Sequence, residues 1–499
     1  MAQRGEMAEV ELLEHDDETL PTVDDVDRAR GALRARVRGV LSWARRHRVV
    51  TAALAGALVV AIVLPVTVSA RDAQERAARF AAQPRVLAPM EQAPQIAWQS
   101  SEAARGSGWV QEDRLWVRGD VLVGWEHGTS WVQSLRAVDA RTGDPLWTAE
   151  LGTSPEVTNQ EGVSVQDPTW CRAPEAEVVV CMVAEGWTTS EGIATQVDGV
   201  DVAPRVDVQP TSLRLRAFDV ADGSVVLDRP VAQEASFVTR GADVVLAQTP
   251  DPDAGPSTVE RLDPATGASR WTASMPRGDG AVGMTYAMVR TLDGTIALSW
   301  RGSTQLFTED GEPSERYGTD QLGEMRGRVW TFGGGIRDAE TGRSIGRPES
   351  YPAWITTDDG SAPDLLLVQD DTTLRALDVT TGDTAWKVPV PIYASATLLI
   401  ADGAVAMLVN GALEVRDLRT GTSLWRLSTR DLRGESMVTD GRHLIVLTPG
   451  HRRNVTAFGL RDGRLAWNVE PPTSIESLAV VDHRLFGSGG ESWVAFEQG

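Results

Sequence analysis

Beyond residue 93 the chain alternates short apolar runs with polar turn clusters, the rhythm of strands rather than of amphipathic helices. Clear examples are ATLLIAD at 396–402, AVAMLVN at 404–410, and HLIVLTP at 443–449 ahead of VTAF at 455–458. Several runs are apolar at consecutive positions, which predicts strands covered on both faces of their sheet. One phrase recurs along the whole region. It reads LRAVDARTGDPLW at 135–147, LRAFDVADGSVVL at 215–227, VERLDPATGASRW at 259–271, LRALDVTTGDTAW at 374–386, LEVRDLRTGTSLW at 413–425 and VTAFGLRDGRLAW at 455–467. Weaker copies are STQLFTEDGEPSE at 303–315 and GIRDAETGRSIG at 335–346.

Each part of the phrase has a physical role. The residues before the Asp (Asp139, Asp219, Asp263, Asp338, Asp378, Asp417) are extended and apolar, and the carboxylate can accept backbone N–H groups two or three residues on, closing a turn. The glycine (Gly143, Gly223, Gly267, Gly382, Gly421 and Gly463, with Gly311 and Gly342 in the weak copies) supplies the positive φ of a hairpin connection. Trp147, Trp271, Trp386, Trp425 and Trp467 follow four residues after it and offer a large face to bury against a neighbouring unit. The phrase is a β-hairpin with a tryptophan seal.

Two further apolar runs precede most copies. Four strands in about 40 residues is the spacing of a propeller blade. The last copy, Trp493–Phe496, stops before its turn glycine, while Ile96-Ala97-Trp98 carries the Ala-Trp ending of a returning strand. Residues 94–99, with Trp98 as sealing residue, are therefore expected to complete the last blade and close the ring without an open edge. Gly311 and Gly342 stand unusually close together, so the count predicts eight blades, with seven and nine as alternatives.

The repeat resembles the pyrroloquinoline-quinone-like (PQQ-like) repeat, a strand followed by Asp-x-x-Thr-Gly-x-x-x-Trp, over residues 94–499. The resemblance implies an all-β propeller of eight four-stranded blades. It also implies two branches: quinoprotein dehydrogenases, and scaffold or membrane-anchored proteins without known chemistry. The enzymatic branch places its cofactor beneath a disulfide between adjacent cysteines, with a calcium held by Glu, Asn and Asp. In this chain Cys171 and Cys181 are ten positions apart, so the adjacent pair is missing and no cofactor is expected.

The first 93 residues follow another pattern. Residues 1–27 hold ten acidic side chains and 28–48 hold eight Arg and no acid, a composition that predicts a solvated tail with a basic segment near a membrane surface. Residues 49–70 form an uninterrupted uncharged run, long enough as a helix to cross a bilayer. Arg45, Arg46 and Arg48 precede it, so the positive-inside rule orients the amino terminus to the cytoplasm and residues 71–499 outside. The competing reading is a cleaved signal peptide ending at Val68-Ser69-Ala70. Residues 71–93, rich in Ala, Gln, Arg and Pro, read as a stalk.

Charge and candidate chemistry add exclusions. With 70 acidic against 48 basic residues the net charge is −22, which argues against nucleic acid as a partner. On this topology Cys171 and Cys181 face an oxidising compartment and are expected to form a structural disulfide. The wide interval between Gly143 and Gly223 predicts an insertion, including Gly186–Pro210, as the best placed partner surface. The six histidines show no metal-ligand spacing. Asp251-Pro-Asp253 and Asp358-Asp359-Gly360 lack a full calcium ladder and read as turns. No nucleophile elbow or phosphate loop is present. Trp109, Trp116, Trp125, Trp131, Trp170 and Trp187 read as packing residues before sugar-stacking ones. The reading is a non-enzymatic, membrane-anchored extracytoplasmic propeller that binds a protein or envelope partner. The alternatives are a quinoprotein oxidoreductase and a sensor signalling through its tail.

Overall fold

The computed structural model describes residues 78–497, with gaps of which the longest are 101–114, 277–286 and 429–436. The tail, the apolar run 49–70 and residues 71–77, 81, 82 and 84 of the expected stalk lie outside the described residues. Among the described residues no helix is long and apolar enough to cross a membrane.

The described chain is a β-propeller of nine blades, one more than the repeat count predicts. Blade 1 comprises Leu115–Arg118, Val121–His127, Val132–Asp139 and Pro145–Thr153, each antiparallel to the next. Blades 2 to 8 repeat this meander, and blade 9 joins Ser477–Val481, Arg484–Gly489 and Ser492–Glu497 to Gln95–Gln99. There Gln95 pairs with Glu497 and Gln99 with Val494, so the ring closes as the sequence predicts. The extra blade is blade 5, built from Leu322–Met325, Arg328–Phe332, Ile336–Asp338 and Ser344–Ile345. Its strands are so short that the Gly311 and Gly342 turns fall close together in sequence, yet each closes its own sheet.

The core is a series of layers between blades. Each of the nine apolar clusters joins two successive blades. This explains the consecutive apolar positions. In Asp243–Gln248, Val244 and Leu246 pack against blade 2 while Val245 and Ala247 pack against blade 4. Side chains alternate across a strand, so a sheet covered on both sides needs an unbroken run.

The turn works as its residues suggest. Asp139 Oδ1 accepts the N–H groups of Arg141 (2.8 Å) and Thr142 (2.9 Å), and the Gly143 N–H donates back to the Asp139 carbonyl at 2.8 Å. Gly143 has φ +75°. It also meets a steric demand that single-copy reading misses: a Cβ there would lie 2.5 Å from the ring of Trp98 in the preceding blade. The Trp98 Nε1–H donates to the Ala140 carbonyl of the same turn at 3.0 Å. Trp147 on Gly223, Trp271 on Gly311 and Trp425 on Gly463 repeat the arrangement, each indole donating to a carbonyl of the turn it covers. Blade 2 substitutes Leu227 against Gly267. Blade 5 substitutes Arg343, which donates to the carbonyls of Val379 and Thr380.

The last part of the expected stalk, residues 85–93, is instead packed as a strap. Val86, Leu87 and Met90 are buried, Leu87 and Met90 within the layer between blades 8 and 9. The Leu87 N–H donates to the Thr439 carbonyl and that of Ala88 to the His483 carbonyl. The Met90 N–H donates to Asp440 Oδ2 at 2.9 Å. The Ala, Gln and Pro around these residues mask their apolar content. The strap grips the turns between first and second strands in blades 8 and 9. In a four-strand meander those turns share an end of the blade with the Asp–Gly turns, so the strap defines one face of the ring.

Candidate interaction surface

Blade 2 carries the insertion, and it is ordered as a ribbon on the face opposite the strap. Its second and third strands, Val178–Glu191 and Val206–Asp219, each run 14 residues and pair from Val178–Asp219 out to Glu191–Val206. The strands at the same places in blade 3, Asp243–Gln248 and Ser257–Leu262, have six residues each. At roughly 3.3 Å per residue, the surplus projects about 26 Å. Val163–Val165 pairs in parallel with Val206–Val208, and a small hairpin, Thr195–Val197 with Val200–Val202, lies between the two long strands in sequence.

The ribbon is held firmly at its base. Cys171 and Cys181 form a disulfide with Cα atoms 4.0 Å apart, directly opposite each other on paired strands. Both are buried in the layer between blades 1 and 2, so the cystine staples the blade interior below the ribbon. Arg216 bridges to Glu185 at 2.5 Å and Arg214 to Asp228 at 2.5 Å. The Asp228 carboxylate raises the Arg214 pKa above its ordinary value, first through their hydrogen bond. Gln233 Nε2 donates to the carbonyls of Pro210 (3.2 Å) and Thr211 (3.1 Å). Trp187 Nε1 donates to the Thr153 carbonyl of blade 1 at 2.7 Å. Beyond these fastenings Thr188, Thr189 and Ser190 are exposed.

The other candidates find structural partners. Trp170 stacks on Phe237 with centroids 4.1 Å apart, and Trp116 and Trp125 pack against the layer between blades 1 and 2. Trp109 and Trp131 lie outside the described residues, as do Asp251 and Asp253. Asp358 closes a turn on the Gly360 N–H, while Asp359 accepts the N–H groups of Ser361 and Asp402, tying that loop to blade 7. His443 and His483 serve the strap, through Asp440 and the Val86 carbonyl respectively. Among the described residues no three His, Cys, Asp or Glu side chains converge to hold a metal. The cystine spans two strands, so it does not form the adjacent-cysteine ring under which a quinone would sit.

Residues 327–495 match the family model described as outer membrane protein assembly factor BamB. No curated protein matches the chain. Among solved structures, BamB from Moraxella catarrhalis is similar at 15% identity and a TM-score of 0.41, covering 81% of this chain and 100% of its own. Quinohemoprotein alcohol dehydrogenase from Comamonas testosteroni is similar at 13% identity and a TM-score of 0.41, covering 84% of this chain and 79% of its own. The computationally designed Ika8 protein is similar at 12% identity and a TM-score of 0.38, covering 83% of this chain and 99% of its own.

Proposed function

We propose, from the premise that this chain is a PQQ-like β-propeller protein, that it is a membrane-anchored extracytoplasmic scaffold binding a protein or envelope partner without catalysing a reaction. The observation that carries this reading is the blade 2 ribbon, an ordered projection stapled at its base and set on the face away from the strap. Loops and extensions on a rigid ring are where propellers place recognition. The repeat's own Asp, Gly and Trp residues are occupied in closing turns and sealing blades, which leaves them no role in chemistry. The match of residues 327–495 to an assembly-factor family agrees with a scaffold. The apolar run 49–70, the arginines before it and the cystine agree with an anchor and an oxidising exterior.

Two measurements test the proposal. Protease added to intact cells should degrade the propeller, and survival of the propeller would overturn the topology. Crosslinking in membranes should recover a partner with the native chain but not with a chain in which Thr188–Gln209 is replaced by Asn-Gly. Equal recovery from both would remove the ribbon as the binding surface.

A further inference from the structure

The ribbon has one covered edge and one open edge. Val178–Glu191 is flanked by Trp170–Arg172 only opposite Val180–Met182, and from Val183 onward no described strand pairs with that side. Its other side stays paired with Val206–Asp219 out to Glu191. Val183 and Ala184 are still buried, with Gly152 of blade 1 beside the Ala184 carbonyl, so the edge emerges at Trp187. The far side of the ribbon is different, because Val163–Val165 covers Val206–Val208.

The direction of the edge's main-chain groups follows from one residue. Pro210 lies opposite Trp187 and has no N–H to donate. The 187–210 pair is therefore read as one that exchanges no hydrogen bonds, and the pairs two residues on, 189–208 and 191–206, share its kind. In such pairs the N–H and C=O groups point away from the partner strand. Trp187, Thr189 and Glu191 thus offer alternating donors and acceptors to the open side.

Exposed edges are ordinarily blunted by charge, proline or bulges. The outer strands of this propeller follow that rule, with Asp228, Arg229 and Pro230 in blade 2, Pro313, Glu315 and Arg316 in blade 4, and Lys387 and Pro389 in blade 6. Trp187-Thr188-Thr189-Ser190 has no charge and no proline, and it contains residues that favour strands.

We propose that Trp187–Glu191 is a strand-addition site for an extended, uncharged or basic polypeptide segment of a partner protein. An evenly spaced row of free amides and carbonyls is complementary to another peptide backbone. A second copy of this chain is the poorer occupant, because a net charge of −22 on each copy opposes their approach. The inference rests on the ribbon being the interaction surface and adds how it binds.

The test uses the full-length chain in detergent and a displayed library of linear peptides. Selected peptides should be rich in β-branched residues, and N-methylation at alternate peptide positions should weaken binding about tenfold or more. Thr189→Pro, which removes an outward N–H while sparing the ribbon's own pairing, and Thr188→Lys, which places a charge on the edge, should each do the same. Amide exchange should slow at Trp187, Thr189 and Glu191 on binding. Peptides that bind equally well to both variants, or show no two-residue periodicity in the N-methyl scan, would overturn the proposal, as would failure to select any peptide. Protection of the same amides by concentration-dependent dimerisation would also overturn it, by assigning the edge to a second copy. If replacing Thr188–Gln209 abolishes partner crosslinking while both point variants retain it, strand addition falls and the ribbon remains the binding surface.

Discussion

The indole of Trp386 in blade 6 lies against Gly421 of blade 7, where a Cβ would come within 2.5 Å of the ring, and its Nε1–H donates to the Leu418 carbonyl at 2.7 Å. Gly421 also has φ +69°. Two separate demands therefore exclude a side chain. Gly382 meets only one of them, since its φ is +78° but nothing lies within 4 Å of its would-be Cβ. Gly382→Ala should cost about 1–2 kcal/mol from backbone strain alone. Gly421→Ala should add about 1–3 kcal/mol for overpacking. Denaturant unfolding of the two variants should rank them in that order, and equal losses would show that the indole moves aside without penalty.

The hydrogen-bonding half of the seal can be isolated at Trp467. This indole is buried in the layer between blades 8 and 9, yet its Nε1 has no hydrogen-bond partner among the described residues. Blade 9 takes its third and outer strands from distant parts of the chain, so no Asp–Gly turn joins them there for Trp467 to cover. Replacing Trp386 with Phe strands the Leu418 carbonyl and should cost about 1–3 kcal/mol beyond lost packing. Trp467→Phe removes an unpaired buried donor, so only the packing loss should remain. The comparison is made by thermal unfolding of both variants against the native chain.

These relationships mark where the sequence was readable. The Asp–Gly–Trp register exposes turn, hairpin and ring closure, because each depends on a few residues at fixed offsets. Blade 5 is less visible: its strands are two to five residues long, and it seals with Arg343, so neither the spacing nor the tryptophan signals a complete blade. The strap is hidden because only Val86, Leu87 and Met90 carry its burial. A second surprise is Ile355–Asp358, which adds a parallel strand beside Thr397–Ala401 on the inner edge of blade 7. Its pattern does not say which blade it will join. The insertion in blade 2 shows as an excess of length, but its open edge follows from pairing that no periodicity reveals.

The cystine makes a separate prediction. Joining residues ten apart removes loop freedom from the unfolded chain, about 2–3 kcal/mol in the chain-entropy model. Replacing both cysteines with Ser should lower stability by at least that amount, since two hydroxyls enter an apolar layer, and reductant should leave the variant's unfolding midpoint unmoved. Because the bond lies in the layer between blades 1 and 2, exchange should quicken at Val179 and Val183 before it does in blade 6. Uniform exchange changes across the ring would contradict a local staple.

The strap adds an alkaline limb to stability, and the repeat turns add an acid one. Asp440 accepts the N–H groups of Met90, Arg442 and His443 together with His443 Nδ1. Its hydrogen bond to His443 is the main cause that holds the imidazole pKa above 6.5. A raised folded pKa gives stability that is complete below the unfolded value and lost as pH rises through the folded one. At Asp139, the Thr142 and then the Arg141 backbone N–H hold the carboxyl below 3.8. At Asp263 the Ala265 N–H is the largest cause in the same direction. At Asp417 burial pushes upward but is outweighed by bonds from Thr420 and Arg419. A lowered folded pKa gives stability present above the unfolded value and lost as pH falls through the folded one. The native melting temperature should therefore fall on both sides, below pH about 4 and again above neutrality. His443→Gln should flatten the alkaline side and take from the acid side only the share of Asp440, whose carboxyl His443 helps hold low, leaving the share of the repeat turns, in melting curves recorded across pH. Persistence of the full alkaline decline in that variant would place its origin in some group other than the strap's histidine.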